Sequence, residues 1–143
     1  MSEPGGRLRL GPRRPRLGAI VTPEILVAHS SGVVRDVIGG ILTRRGHDVK
    51  VAYNTSTALE VLDAGGVEVL LVSQHLPPGG YGNILDTLAQ PPPAVVICER
   101  GQPVPHSIEQ DQRVSGVLAR PFSLQDLFAL VEAATEGRSP GAQ

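Results

Sequence analysis

The stretch Val69–Gly82, VLLVSQHLPPGGYG, constrains this chain more than any other. Val69, Leu70, Leu71 and Val72 run without polar alternation, the pattern of a strand covered on both faces. Such a strand belongs in a parallel sheet sandwiched between helices. It ends on Ser73, Gln74 and His75, and a turn rich in Pro and Gly follows at once. The polar residues therefore stand at the carboxyl end of a central strand, the edge where open α/β sheets place ligands and chemistry. No acidic residue stands there.

The flanking sequence repeats the pattern. Ile25–Ala28 predict a buried strand ending at His29, Ser30 and Ser31, with Ser30 or Ser31 capping the next helix. Val33, Val34, Val37, Ile38, Ile41 and Leu42 recur at three- and four-residue spacing and predict one helical stripe against the sheet, stopped by Gly46. Val49, Val51 and Ala52 predict an alternating second strand, and Thr55–Ala64 a second helix. Beyond the Gly-rich turn, Ile84, Leu85 and Leu88 predict a short helix before Pro91-Pro92-Pro93. Ala94–Cys98 reads as a fourth apolar strand, Glu99–Pro105 as a loop and Ser107–Val114 as a polar helix. Val117–Ala119 reads as a fifth strand. Leu124–Glu136 reads as a last helix capped by Ser123, with Leu127, Phe128, Leu130 and Val131 inward. Five strands alternating with five helices call for a doubly wound parallel sheet with right-handed crossovers.

Composition narrows the setting. The 143 residues suffice for one domain with its own core. Pro and Gly break any periodicity up to Thr22, so residues 1–22 read as a disordered tail, 23–137 as the folded domain and 138–143 as a frayed end. Net charge is −1, but the first 18 residues hold five Arg against Glu3, a balance of +4, and the rest carries −5. That tail is a solvated arm, with nucleic acid or an acidic partner as its only functional reading. Twelve of the 13 basic residues are Arg, a bias of GC-rich bacterial genomes. A single cysteine, Cys98, excludes an internal disulfide framework and fits a reducing cytoplasm. No apolar run approaches the ~20 residues of a membrane span, and no apolar segment follows the N-terminal arginines as a secretory signal requires. Motifs of conventional enzymes are absent: no Gly-x-Gly-x-x-Gly, no P-loop, no nucleophile elbow and no clustered carboxylates. The chain reads as a non-enzyme.

In their joint order, these landmarks resemble the receiver domains of bacterial two-component response regulators over about Glu24–Glu136. Ile25-Leu26-Val27 precedes the slot of an acidic pair, and Ser73-x-x-x-Pro77 fills the slot of the phosphoacceptor and its trailing proline. Gly79 and Gly82 match the loop beyond, Cys98 a terminal Thr/Ser slot, and Arg120-Pro121-Phe122 the Lys-Pro-Phe signature. The resemblance implies a flavodoxin-like sheet of order 2-1-3-4-5 and a phosphorelay switch driven by Mg²⁺. Position by position the switch is dismantled. Ser73 replaces the phosphoacceptor Asp, His29 and Ser30 the acidic pair, Arg120 the Lys, Cys98 the Thr/Ser and Val117 the switch aromatic. The resemblance also implies a cis bond at Pro121.

Mg²⁺ wants carboxylate oxygens in near-octahedral array, and His29, Ser30 and Ser73 offer none. Without the metal, charge that builds during phosphoryl transfer is not neutralised. Mg²⁺ binding and aspartyl phosphorylation are therefore expected to be lost, leaving a pseudo-receiver with no cofactor. The leading reading is a stand-alone signalling module that binds another signalling protein, or itself, through the face of the fourth helix, fifth strand and fifth helix. A second reading is a small-anion sensor around Arg120, whose guanidinium is a forked donor. A third is a soft-metal or redox site of His29, His75 and Cys98, whose ligand types suit Zn²⁺; the plain alternative is a buried apolar Cys98 and a hydrogen-bonded His29.

Overall fold

The computed structural model of the protein describes residues 24–98 and 104–138. The expected tail over residues 1–22 and most of the expected Glu99–Pro105 loop lie outside them, as do residues 139–143. The elements are β1 (Glu24–Ala28), α1 (Gly32–Arg44), β2 (Asp48–Ala52), α2 (Thr55–Asp63) and β3 (Val69–Ser73), followed by α3 (Gly80–Thr87), β4 (Ala94–Cys98), α4 (His106–Glu109), β5 (Val114–Ala119) and α5 (Leu124–Arg138). All strand pairs are parallel, and the sheet order is β2-β1-β3-β4-β5. This is the doubly wound, flavodoxin-like arrangement expected from the sequence.

Side-chain alternation along each central strand divides the core in two. Ile25, Val27, Val69, Leu71, Val95 and Ile97 pack with α1 and α5 on one face. Leu26, Ala28, Leu70, Val72, Val96 and Cys98 pack with α2, α3 and α4 on the other. Every residue of β3 and β4 is buried, which is why both strands read as continuous apolar runs. Each such Leu, Ile or Val contributes roughly 1.5–3 kcal/mol by leaving water.

Helix starts are fixed by local side chains. The Ser31 hydroxyl accepts from the Val34 N–H at 3.3 Å, and Asn54 Oδ1 accepts from Thr57 N–H at 2.8 Å. At α5, Ser123 Oγ accepts from Asp126 N–H at 3.0 Å while Asp126 accepts from Ser123 N–H at 3.5 Å, a reciprocal capping pair.

Three expectations change. On α1, Val34, Ile38 and Leu42 are buried, but Val33 and Val37 are 73% and 51% exposed, so the inward stripe is narrower than the apolar pattern. β2 is an edge strand whose Val51 is half exposed, so its apolar positions do not alternate cleanly between core and water. The helix expected over Ser107–Val114 is a single turn, and Val114 opens β5 instead. Asp111 explains the early stop: its side chain accepts from Arg113 N–H at 3.0 Å, and its carbonyl accepts from Val114 N–H at 3.0 Å. This local turn competes with helical pairing.

Asp111 is also the centre of a polar bridge between the α4–β5 connection and α3. Arg113 pairs with Asp111 at 3.0 Å and with Asp86 at 2.6 Å, and the Tyr81 hydroxyl reaches Asp111 at 3.3 Å. Hydrogen bonding from Arg113 holds the Asp111 carboxyl below the usual aspartate range, against the opposing effect of burial. A depressed carboxyl contributes stability above its unfolded pKa, near 3.8, and loses it as pH falls through the lowered folded value. Arg113→Ala should therefore raise the Asp111 titration midpoint, read by NMR, and remove this component of the protein's acid sensitivity. An unchanged midpoint would mean that another group holds Asp111 ionised.

Candidate functional site

The carboxyl ends of the strands bring the sequence-marked positions to one edge. Ala28 pairs with Val72, so His29 stands level with Ser73. Ser73 pairs with Ile97, and Cys98 with Ala119, so Cys98 lies one step beyond Ser73 and Arg120 two. The Arg120 N–H donates to the Cys98 carbonyl at 3.2 Å, and the Arg120–Pro121 peptide bond is cis. Ser30 is exposed at the rim.

His29 is only 4% exposed. Its Nδ1 accepts from Ser31 N–H at 3.0 Å, and its own N–H donates to the Ala52 carbonyl at 3.0 Å. The histidine thereby shapes the turn into α1 rather than offering Nδ1 to a ligand. Arg35, one turn into α1, sends Nη1 back to the His29 carbonyl at 2.6 Å. Sequence pattern did not mark Arg35, because a charged residue on a helix reads as a solvated face.

Ser73 is 3% exposed, and its Oγ accepts from His75 N–H at 3.3 Å. The loop beyond it is firmly held. Thr55, at the start of α2, donates its N–H to the Pro77 carbonyl and its hydroxyl to the Pro78 carbonyl, both at 2.8 Å. Asn83 donates to the same Pro78 carbonyl at 2.9 Å, and Gly80 N–H returns to Leu76 at 2.7 Å. A second cis bond joins Pro77 to Pro78. The buried Thr55 was legible only as the first residue of a helix; its reach to the prolines needed the fold.

Chemically, the edge offers an imidazole, two hydroxyls, a thiol and a guanidinium. That donor set does not fit Mg²⁺, which takes hard oxygen ligands and at least one carboxylate in most protein sites. Among the described residues, no three His, Cys, Asp or Glu side chains gather closely enough to hold any metal ion. Of the three soft-metal candidates, His75 is exposed on the turn, whereas His29 and Cys98 are buried, and Cys98 packs with the α2–α4 half of the core. Val117 packs partly against that same half, where it has no hydroxyl or ring to relay a change. No helix among the described residues is long and apolar enough to cross a membrane.

No family model and no curated protein matches the sequence. Solved structures do. A response regulator receiver domain protein from Clostridium thermocellum superposes with a TM-score of 0.71 at 17% identity, over 80% of this chain and 95% of that one. FixJ-N gives 0.72 at 21% identity, over 82% and 96%. The signal receiver domain of an HD domain-containing protein from Pseudomonas fluorescens Pf-5 gives 0.71 at 21% identity, over 82% and 97%. At these identities the likeness speaks for the fold. The chain has the fold of a response regulator receiver domain.

Proposed function

We propose that this protein is a receiver-fold signalling module whose phosphoryl switch has been dismantled and which acts by binding another protein. The observation that carries the reading is Ser73: the acceptor position holds a buried neutral hydroxyl already engaged by His75 N–H. An alkoxide would have to form there with no metal-binding carboxylates beside it, so neither the nucleophile nor the charge of the transferred group is stabilised. Arg120, at the position of the family's lysine, supplies positive charge but not the missing ligands. The clamped Pro77–Gly80 loop argues the same way, since its carbonyls are committed to Thr55 and Asn83 rather than poised to rearrange.

What remains functional in such a molecule is its surface. The exposed residues of α4, β5 and α5 mix polar side chains (His106, Ser107, Glu109, Ser115, Gln125 and Glu132) with small apolar ones (Ala119, Ala129 and Ala133), a character that suits reversible contact with a signalling partner. No enzyme chemistry and no resident cofactor is assigned. The expected result is that incubation with Mg²⁺ and acetyl phosphate leaves the intact mass of wild type and Ser73→Ala identical to untreated protein. A phosphoryl adduct on wild type that Ser73→Ala abolishes would overturn the reading.

A further inference from the structure

Val33, Val37 and Leu124 are three of the five large apolar side chains exposed among the described residues, and all three belong to the α1/α5 side of the sheet. At about 100° per residue, Val33, Asp36, Val37, Gly40, Thr43 and Arg44 share the face of α1 turned away from the sheet. All are exposed except the half-buried Gly40. Ile41 continues the Val33–Val37 ridge into a groove of about 270 Å³ walled by Leu124, Phe128, Arg44 and Arg45.

Two features on that face say what covers it. Gly40 lies inside the helix, where glycine is a poor helix former, yet a Cβ there would meet nothing within 4 Å. The chain's own packing does not ask for glycine there, and a glycine on an exposed helix face leaves room for a second backbone to approach closely. The charges are the second feature. Asp36 and Arg44 stand four residues either side of Gly40 with opposite sign, and among the described residues neither makes an ion pair or side-chain hydrogen bond. Arg45, by contrast, is committed within the chain: it lies 3.9 Å over the Phe128 ring and 3.4 Å from Glu132.

We propose that α1 is a self-association surface whose occupant is α1 of a second copy, crossed antiparallel about a twofold axis at Gly40. In that arrangement Asp36 of each copy faces Arg44 of the other, so one helix supplies both halves of an isologous contact. The glycines let the backbones approach, and the Val33–Val37–Ile41 ridges are covered on both sides of the axis. This rests on the interaction-module reading but centres on α1, which is not part of the α4–β5–α5 face assigned to partners.

Sedimentation velocity of the full chain across concentrations tests it, with Asp36→Arg, Arg44→Asp, the double reversal and Gly40→Leu. Wild type should show a concentration-dependent dimer. Each single reversal turns both cross-pairs into like charges and should weaken dimerisation by at least about tenfold. The double reversal should return to within about threefold of wild type. Gly40→Leu should be monomeric with an unchanged or higher melting temperature, which separates loss of contact from loss of fold. A wild type that stays monomeric to roughly 1 mM, or a dimer indifferent to these substitutions, would overturn the proposal. Binding of some other macromolecule to α1 of a monomeric protein would also overturn it. Failure of the α1 pairing with a pocket inert to phosphodonor leaves the interaction-module reading standing; an intact dimer with a phosphorylated pocket does the reverse.

Discussion

Gly80→Ala should lower the free energy of unfolding by about 2–4 kcal/mol and the melting temperature by roughly 10–20 °C. Gly80 has φ +76°, and a Cβ there would lie 2.7 Å from the Gln74 carbonyl oxygen. The left-handed backbone alone costs an L-residue about 1–2 kcal/mol. The clash adds to it because both atoms belong to backbone: Gln74 leaves the end of β3 with its N–H on the Ile97 carbonyl, and Gly80 is tied to Leu76. Neither side yields without disturbing the loop that closes the candidate site. Gly82→Ala is the internal control. It lies in α3, and a Cβ there would meet nothing within 4 Å, so the change should be neutral or stabilising by up to about 1 kcal/mol. Equal stability of Gly80→Ala and Gly82→Ala in thermal unfolding would contradict the tight-turn geometry assigned to residues 74–80.

The second large effect is expected from Leu71→Ala, at about 3–5 kcal/mol. Leu71 is fully buried in the central strand, paired with Val27 on one side and Val95 on the other, and packed in the cluster that α1 and α5 cover. Neighbours pinned by strand pairing on both sides cannot collapse into the space, so the cavity persists and its cost adds to the lost transfer energy. Against a domain stability of about 5–15 kcal/mol, this is a large share of the whole. Leu71→Ile, which keeps the volume, should cost less than about 1.5 kcal/mol. Urea unfolding of the two variants measures the difference, and a loss under about 1 kcal/mol for the alanine would show that β3 is not the packed centre of the sheet.

The sheet was legible because β1, β3 and β4 are buried on both faces, and unbroken apolar runs of four or five residues between turns have few other uses. The order of landmarks made the receiver resemblance legible on the same grounds. The edge of the molecule was harder to read. Val33 and Val37 have the spacing of core residues, and periodicity alone does not tell an inward stripe from an outward apolar ridge; only packing against the sheet separates them. Residues 106–114 misled in the opposite direction, since a polar segment carries little periodic signal and the Asp111 turn decides where β5 starts. At the candidate site, the slots of Ser73, His29 and Arg120 follow from strand ends. The commitments of those residues do not, because His29 Nδ1 to Ser31 and Ser73 Oγ to His75 depend on turn geometry. Thr55 and Arg35 went unmarked for a related reason: each acts on a carbonyl supplied by a loop whose course the sequence leaves open.

The central claim, that the carboxyl edge of this sheet no longer works as a phosphoryl switch, meets its most direct test in a two-dimensional NMR titration with Mg²⁺ and beryllofluoride. The account predicts no saturable shift of the His29, Ser30, Ser73, Cys98 or Arg120 amides. Saturable shifts clustered at those positions would contradict it and identify a pocket that still binds the phosphoryl mimic.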